Sequence, residues 1–339
     1  MRDGTQHRAL PVLLLLAGCS GGAADRAGPA VAAQADSAVA APVNLLPQAF
    51  LAPLDPTDRV HAAVAWRRSD GSAWLLASAE ATQVLLAFDA VSGAPLTRFG
   101  TAGTGAGQLR APRGLLVDDD LLLVVEGDNR RIQAFRLPDF RPLGTFGEDV
   151  LQRPYGITGY RAPDGALEIY VTDQRVQHFR LARGARVRAQ LVNTFGDTLT
   201  PRASIRVDAE NGRLLLADRA SREIEIYSLD GTFTGATIGS GVLAGVGDIA
   251  YWGCDAEGYW LVADSNRFQV FNRATLRHAG TFTARDLNAA RGVALLTGTV
   301  GTLQGGALYA LQEDRAIAAF AWTTVAEGLG LRVECTPRE

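Results

Sequence analysis

The sequence predicts an all-β fold, a six-bladed β-propeller with four antiparallel strands per blade, on three recurring features. The first is an aromatic residue closing a short apolar strand at Phe88, Phe135, Phe179, Tyr227, Phe271 and Phe320. The steps between these positions are 47, 44, 48, 44 and 49 residues, the period expected of propeller blades. The second is a polar turn ahead of the aromatic, usually acidic and then Arg. Its copies are Asp128-Asn129-Arg130-Arg131, Asp173-Gln174-Arg175, Asp218-Arg219, Asp264-Ser265-Asn266-Arg267 and Glu313-Asp314-Arg315, while the first unit carries Glu80 without an Arg. The third is a short strand ending in Phe-Gly, at Phe99-Gly100, Phe146-Gly147 and Phe195-Gly196.

Each polar turn has an apolar strand on both sides, as in LLLVVE before and RIQAF after, or YWLVA before and RFQVF after. Val, Ile, Leu and aromatic residues bounded by Gly, Asp and Asn are strand-hairpin chemistry. A further strand opens at Arg113-Gly114, Tyr155-Gly156 or Arg291-Gly292. Four strands thus make one unit, and the six units cover about residues 55–335. Radial stacking buries both faces of every blade and leaves only short edges. Helical periodicity is absent, so no helix is expected. Trp252 and Trp260 fall in strands of the fifth unit and read as core.

The N-terminus carries a different signal. Arg2 and Arg8 form a basic n-region ahead of an apolar run, Leu10 to Leu16, that is too short to span a bilayer. Leu16-Ala17-Gly18-Cys19 follows and resembles the lipobox of bacterial lipoproteins. Residues 1–19 are expected to be a signal peptide with Cys19 lipidated, the lipid being the only membrane anchor. Residues 20–50, rich in Ala, Gly, Pro, Ser and Asp, read as a flexible tether, and residues 51–339 as the propeller. Ser20 stands where an Asp would favour the inner membrane, so the resemblance points to the cell envelope and to the outer membrane.

The 339 residues are 47% hydrophobic with a net charge of -3, enough for a large core and too near neutral for bulk nucleic-acid binding. Lys is absent, so every strong cation is Arg and no lysine amine is at hand for a Schiff base. The four His are scattered, and there is no CxxC and no GxSxG. Neither a zinc site nor a serine-hydrolase triad is expected. Beyond Cys19 there remain Cys254 and Cys335. They would pair as a disulfide in an oxidising compartment or stand as two separate buried thiols, and the sequence leaves both open.

GQLRAPRGLLVDDDLLLVVEGDNRRIQAF in the second unit resembles an NHL repeat, a scaffold used mostly for binding. Other units are similar to β-propeller phytases. GDIAYWGCDAEGYWLVADSNRFQVFNRATLRHAGTF resembles their fifth blade, GVALLTGTVGTLQGGALYALQEDRAIAAFAWTTVAEGL their closing blade, and HAAVAW with LLASAEATQVLLAFD their opening one. The similarity runs in order over about residues 58–330. It implies a calcium-dependent 3-phytase that releases phosphate from myo-inositol hexakisphosphate, with calcium ions held by a carboxylate ring at one mouth.

The matching positions depart from that pattern. The family's paired aspartates fall on His61 and Ala62, and the Asp-Lys of its first hairpin falls on Ala79 and Glu80. Its Glu-Gly openings fall on Ala203-Ser204 and on Val246-Gly247 or Gly247-Asp248, and its last Asp-Gly falls on Arg291-Gly292. Arg130, Asp218 and Gln312-Glu313 survive. Ligand charge sets calcium affinity, so a largely degenerate calcium site is expected.

Two functions follow: a calcium-dependent phosphomonoesterase, or a non-catalytic binding module of the cell envelope. The module would take a small anion such as an inositol phosphate, or a protein partner. Asp128, Asp173, Asp218, Asp264 and Glu313 are the candidate calcium ligands on a rim that also holds Glu80 and Asp314. Alternatively, each acid accepts backbone N–H bonds within its own turn. Arg113, Arg130 and Arg291 are candidates for an anion-binding mouth, because paired guanidiniums grip phosphate or carboxylate. The alternative for them is salt bridges to the acidic rim.

Overall fold

The computed structural model describes residues 42–334, apart from 183–186, 201, 219–221, 288–289 and 313–314 and the side chains of Cys254 and Arg291. The chain runs through six antiparallel sheets in succession. Blade one pairs Val60–Arg67, Ala73–Ala79, Val84–Asp89 and Pro95–Phe99 in that order. Blade two pairs Pro112–Asp118, Leu121–Glu126, Arg131–Arg136 and Arg141–Phe146. Blade three pairs Ile157–Arg161, Leu167–Thr172, Val176–Leu181 and Ala189–Phe195. Blade four pairs Ser204–Asp208, Arg213–Ala217, Ile224–Ser228 and Phe233–Ile238. Blade five is Ile249–Cys254, Glu257–Asp264, Arg267–Asn272 and His278–Thr283. Blade six begins with Ala290–Thr297, Gly306–Gln312 and Ala316–Ala321.

The repeat maps onto this architecture strand for strand. All six recurring aromatics lie in third strands and are buried. The Phe-Gly pairs end the fourth strands of blades one to three. There Gly100, Gly147 and Gly196 take φ of 98°, 89° and 78°, a left-handed conformation that glycine enters without steric cost. Apolar packing falls into clusters filled from adjacent blades. Leu76 and Leu85 of blade one meet Leu122 and Phe135 of blade two. Ala73 and Leu75 of blade one meet Tyr309 and Ile317 of blade six, so the ring is closed.

Two features depart from the sequence expectation. Strands begin within the stretch read as tether. Val43–Leu45 adds a parallel fifth strand against His278–Thr283 on blade five. Phe50–Pro53 then pairs antiparallel with Ala316–Ala321 and completes blade six. The last blade is thus sealed by chain that precedes the first, a pairing no local pattern reveals.

The chain also forms a helix, Trp322–Leu329. Trp322, Val325 and Ala326 are its buried residues, the i, i+3, i+4 stripe of an amphipathic helix. Trp322 stacks on Trp252 at 4.3 Å, and Trp252 and Trp260 are core as expected. About two turns are too few for helical periodicity to stand out beside strand patterns. No described helix is long and apolar enough to cross a membrane. Cys19 with its lipobox, and Cys335, lie outside the described residues, as does the side chain of Cys254, which ends the inner strand of blade five.

Candidate functional site

The openings of the inner strands converge on a cavity lined by His61, Arg113, Tyr155, Arg202, Arg206 and Asp248, among smaller residues. The small residues follow from crowding. A Cβ on Gly114 would come within 2.5 Å of the Tyr155 carbonyl oxygen. Free space at this mouth is about 40 Å³, room for roughly three water molecules. It fits a single oxyanion head and little more.

One wall is a linked polar group. Glu80 accepts from His61 Nε2 at 2.6 Å and from Arg113 Nε at 3.2 Å. His61 Nδ1 lies within hydrogen-bond reach of the Tyr155 hydroxyl at 3.3 Å. The hydrogen bond from His61, and behind it the charge of Arg113, outweigh burial and lower the Glu80 carboxyl from its ordinary 4.5 to about 2. Glu80 is therefore an anion at any physiological pH, and Arg113 is its counter-ion. The Arg113 guanidinium also lies 5.8 Å from the centre of the Tyr155 ring.

Arg206 reaches from blade four to its neighbours. Its Nε donates to the Ile249 carbonyl, and its Nη2 reaches Asp248 Oδ2 and the Val293 carbonyl, both at 3.4 Å. The guanidinium thus bridges blade four to blades five and six. Below it lies a second chamber of about 300 Å³ lined by Thr158, Arg206, Tyr251 and small residues. Asp248 is fully engaged: it accepts from Ser204 Oγ and from the backbone N–H groups of Ile249 and Val293.

Arg202 differs from the other two guanidiniums. It is half-buried, it lines the mouth, and it has no acceptor or carboxylate partner among the described residues. Its φ is 82°, a conformation uncommon for a side chain with a Cβ and of a kind found at binding sites.

Of the sequence candidates, Arg113 stands at the mouth. Arg130 is exposed in the hairpin turn between the second and third strands of blade two, outside the residues lining the cavity. Arg291 opens blade six, with its side chain outside the described residues, as is all of Glu313. Asp173 accepts from the backbone N–H groups of Gln152 and Arg153 at 2.8 and 2.5 Å. Asp218 accepts from Thr200 N–H at 3.0 Å, and Asp264 from Ala244 and Gly245 N–H at 3.1 and 2.8 Å. Asp128 is exposed. These acids sit one per blade, Asp173, Asp218 and Asp264 each accepting from backbone N–H groups, and no three His, Cys, Asp or Glu gather among the described residues. Hard cations need several oxygens on one centre, so this donor set does not fit the calcium ring that the phytase resemblance implies.

Sequence reasoning missed Arg202 and Arg206 as site residues. Blade four opens on Ala203-Ser204 instead of a residue followed by Gly, which hides its register. The signal available was alternation. Ser204, Arg206 and Asp208 share one face of a strand whose other face is Ile205 and Val207.

No family model matches the chain, and no curated protein matches it in sequence. Solved structures do match in fold. One chain of the crystal structure of a nidogen/laminin complex superposes with a TM-score of 0.52 at 15% identity, covering 70% of this chain and 85% of that one. The likeness is one of fold alone. The chain is a six-bladed β-propeller.

Proposed function

We propose that this propeller is a binding module that takes a small anion at the mouth formed by Arg113, Arg202 and Arg206. The observation that carries it is Arg202, a half-buried guanidinium without a partner among the described residues, held beside two others whose acids are already satisfied. Such a donor fork is free to take an oxyanion by charge-assisted, bidentate hydrogen bonds. The competing reading is a calcium-dependent 3-phytase, supported by the ordered resemblance over residues 58–330 and opposed by the dispersed acids.

Calorimetric titration of the full chain in detergent with inorganic phosphate and with myo-inositol hexakisphosphate separates the two. Salt-sensitive, calcium-independent binding that weakens at least ~10-fold in Arg202→Ala is expected, since one charge-assisted hydrogen bond is worth about 1.5–3 kcal/mol. No binding of either anion sinks the proposal. Calcium-dependent phosphate release from the inositol compound establishes the enzyme instead.

We also propose attachment to the outer membrane by lipid on Cys19, on the strength of the lipobox and Ser20. Cells fed labelled palmitate should label the wild-type chain and not Cys19→Ala, and equal labelling of both would refute the anchor.

A further inference from the structure

Beside the mouth, between blades three and four, lies a cleft of about 210 Å³ lined by Arg153, Tyr155, Thr172, Asp173, Thr198 and Arg202, among others. Tyr155 and Arg202 line the mouth as well, so the two cavities share a wall. The charges in the cleft are unequal in availability. Asp173 spends both carboxylate oxygens on the N–H groups of Gln152 and Arg153. Thr172 Oγ1 accepts from Gly156 N–H and donates to the Ala203 carbonyl. The guanidiniums of Arg153 and Arg202, by contrast, have no acceptor among the described residues.

We infer that the cleft is a second anion subsite, and that the ligand is a flexible chain bearing at least two oxyanion groups, one in the mouth and one in the cleft. The inference rests on the reading of the mouth as an anion site and adds the number and spacing of charges. The mouth holds one head, because its free space is about 40 Å³. A second group has about five times that room next door, with Arg202 placed to serve both. Asp173 is the one carboxylate among the residues lining the cleft, and the two guanidiniums there outnumber it. Tying two binding events together raises affinity well beyond either alone when the linker fits the span.

The test compares inorganic phosphate, pyrophosphate, tripolyphosphate and citrate by calorimetry on the full chain in detergent, at one fixed salt concentration. Tripolyphosphate should bind at least ~30-fold tighter than phosphate, an advantage of the kind multivalency gives. That ratio should shrink toward unity in Arg153→Ala and recover in Arg153→Lys. Arg153 is exposed, and an unchanged melting temperature in each variant shows that folding is not the cause. Citrate matching tripolyphosphate assigns carboxylate chains as ligands, and citrate failing assigns phosphate chains. Phosphate binding with a ratio near one, or a ratio indifferent to Arg153→Ala, overturns the second subsite and leaves the mouth standing. No binding of any of the four anions overturns both.

Discussion

Asp208→Ala should lower the stability of the propeller by about 3–5 kcal/mol, the cost of breaking a buried ion pair by removing one partner. Asp208 is fully buried at the end of the inner strand of blade four. It accepts from Arg213 Nε at 3.0 Å and from Arg273 Nε and Nη2 at 3.1 and 2.5 Å. Asn211 adds two more donors at 3.0 and 3.1 Å. Arg273 comes from blade five and is only 1% exposed, with its guanidinium 4.3 Å from the centre of the Tyr251 ring. One carboxylate therefore staples two blades. Without it, Arg273 keeps Glu210 at 2.7 Å but loses its buried counter-ion. Urea denaturation should show a lower midpoint with an unchanged slope. The triple variant Asp208→Leu with Arg213→Leu and Arg273→Met should recover much of the loss, because apolar replacement of a whole buried ion network is often neutral. A single variant within ~1 kcal/mol of wild type would mean that water already reaches this network.

Removing the closing strand should be as damaging. A chain beginning at Leu54 lacks Phe50–Pro53, and with it the outer strand of blade six. Ile317, Ala318 and Ala319 are fully buried in the strand it covers. Leu46, whose side chain would meet a Cβ placed on Gly328 of the helix, is lost as well. The exposed edge presents unpaired N–H and C=O groups, a template for association. The shortened chain is expected to melt at least ~5 °C lower than one beginning at Pro42, which is about 3 kcal/mol for a chain of this size, and to aggregate on heating. Equal melting temperatures and equal solubility would show that the seal contributes little.

The fold was legible because a propeller repeats its chemistry. Phe135 or Phe271 alone says little, but six buried aromatics at blade spacing, each after a polar turn, leave few alternatives. The pieces that broke the repeat were not legible. Val43–Leu45 and Phe50–Pro53 are three and four residues long and owe their extended state to distant partners, which no local propensity encodes. The helix at Trp322–Leu329 was hidden by its brevity. At the site, Arg113 could be found because it shares the residue-before-Gly position with Tyr155 and Arg291. Arg202 and Arg206 could not, because blade four lacks that glycine. Which guanidiniums are spent and which are free is a property of packing: Glu80, read as a lone rim acid, turned out to bind Arg113 and His61.

Arg206 has a consequence for how the two ends of the ring relate. It lines both the mouth and the lower chamber, and a guanidinium carries five N–H donors in a fixed fork. A ligand above that draws these donors upward leaves fewer for a ligand below, and the reverse holds equally. Thermodynamic linkage makes such coupling reciprocal: whatever factor an upper ligand imposes on a lower one, the lower imposes on the upper. Arg206 is in that sense a wall one side chain thick, and ligands bound in the two chambers would share its guanidinium between them.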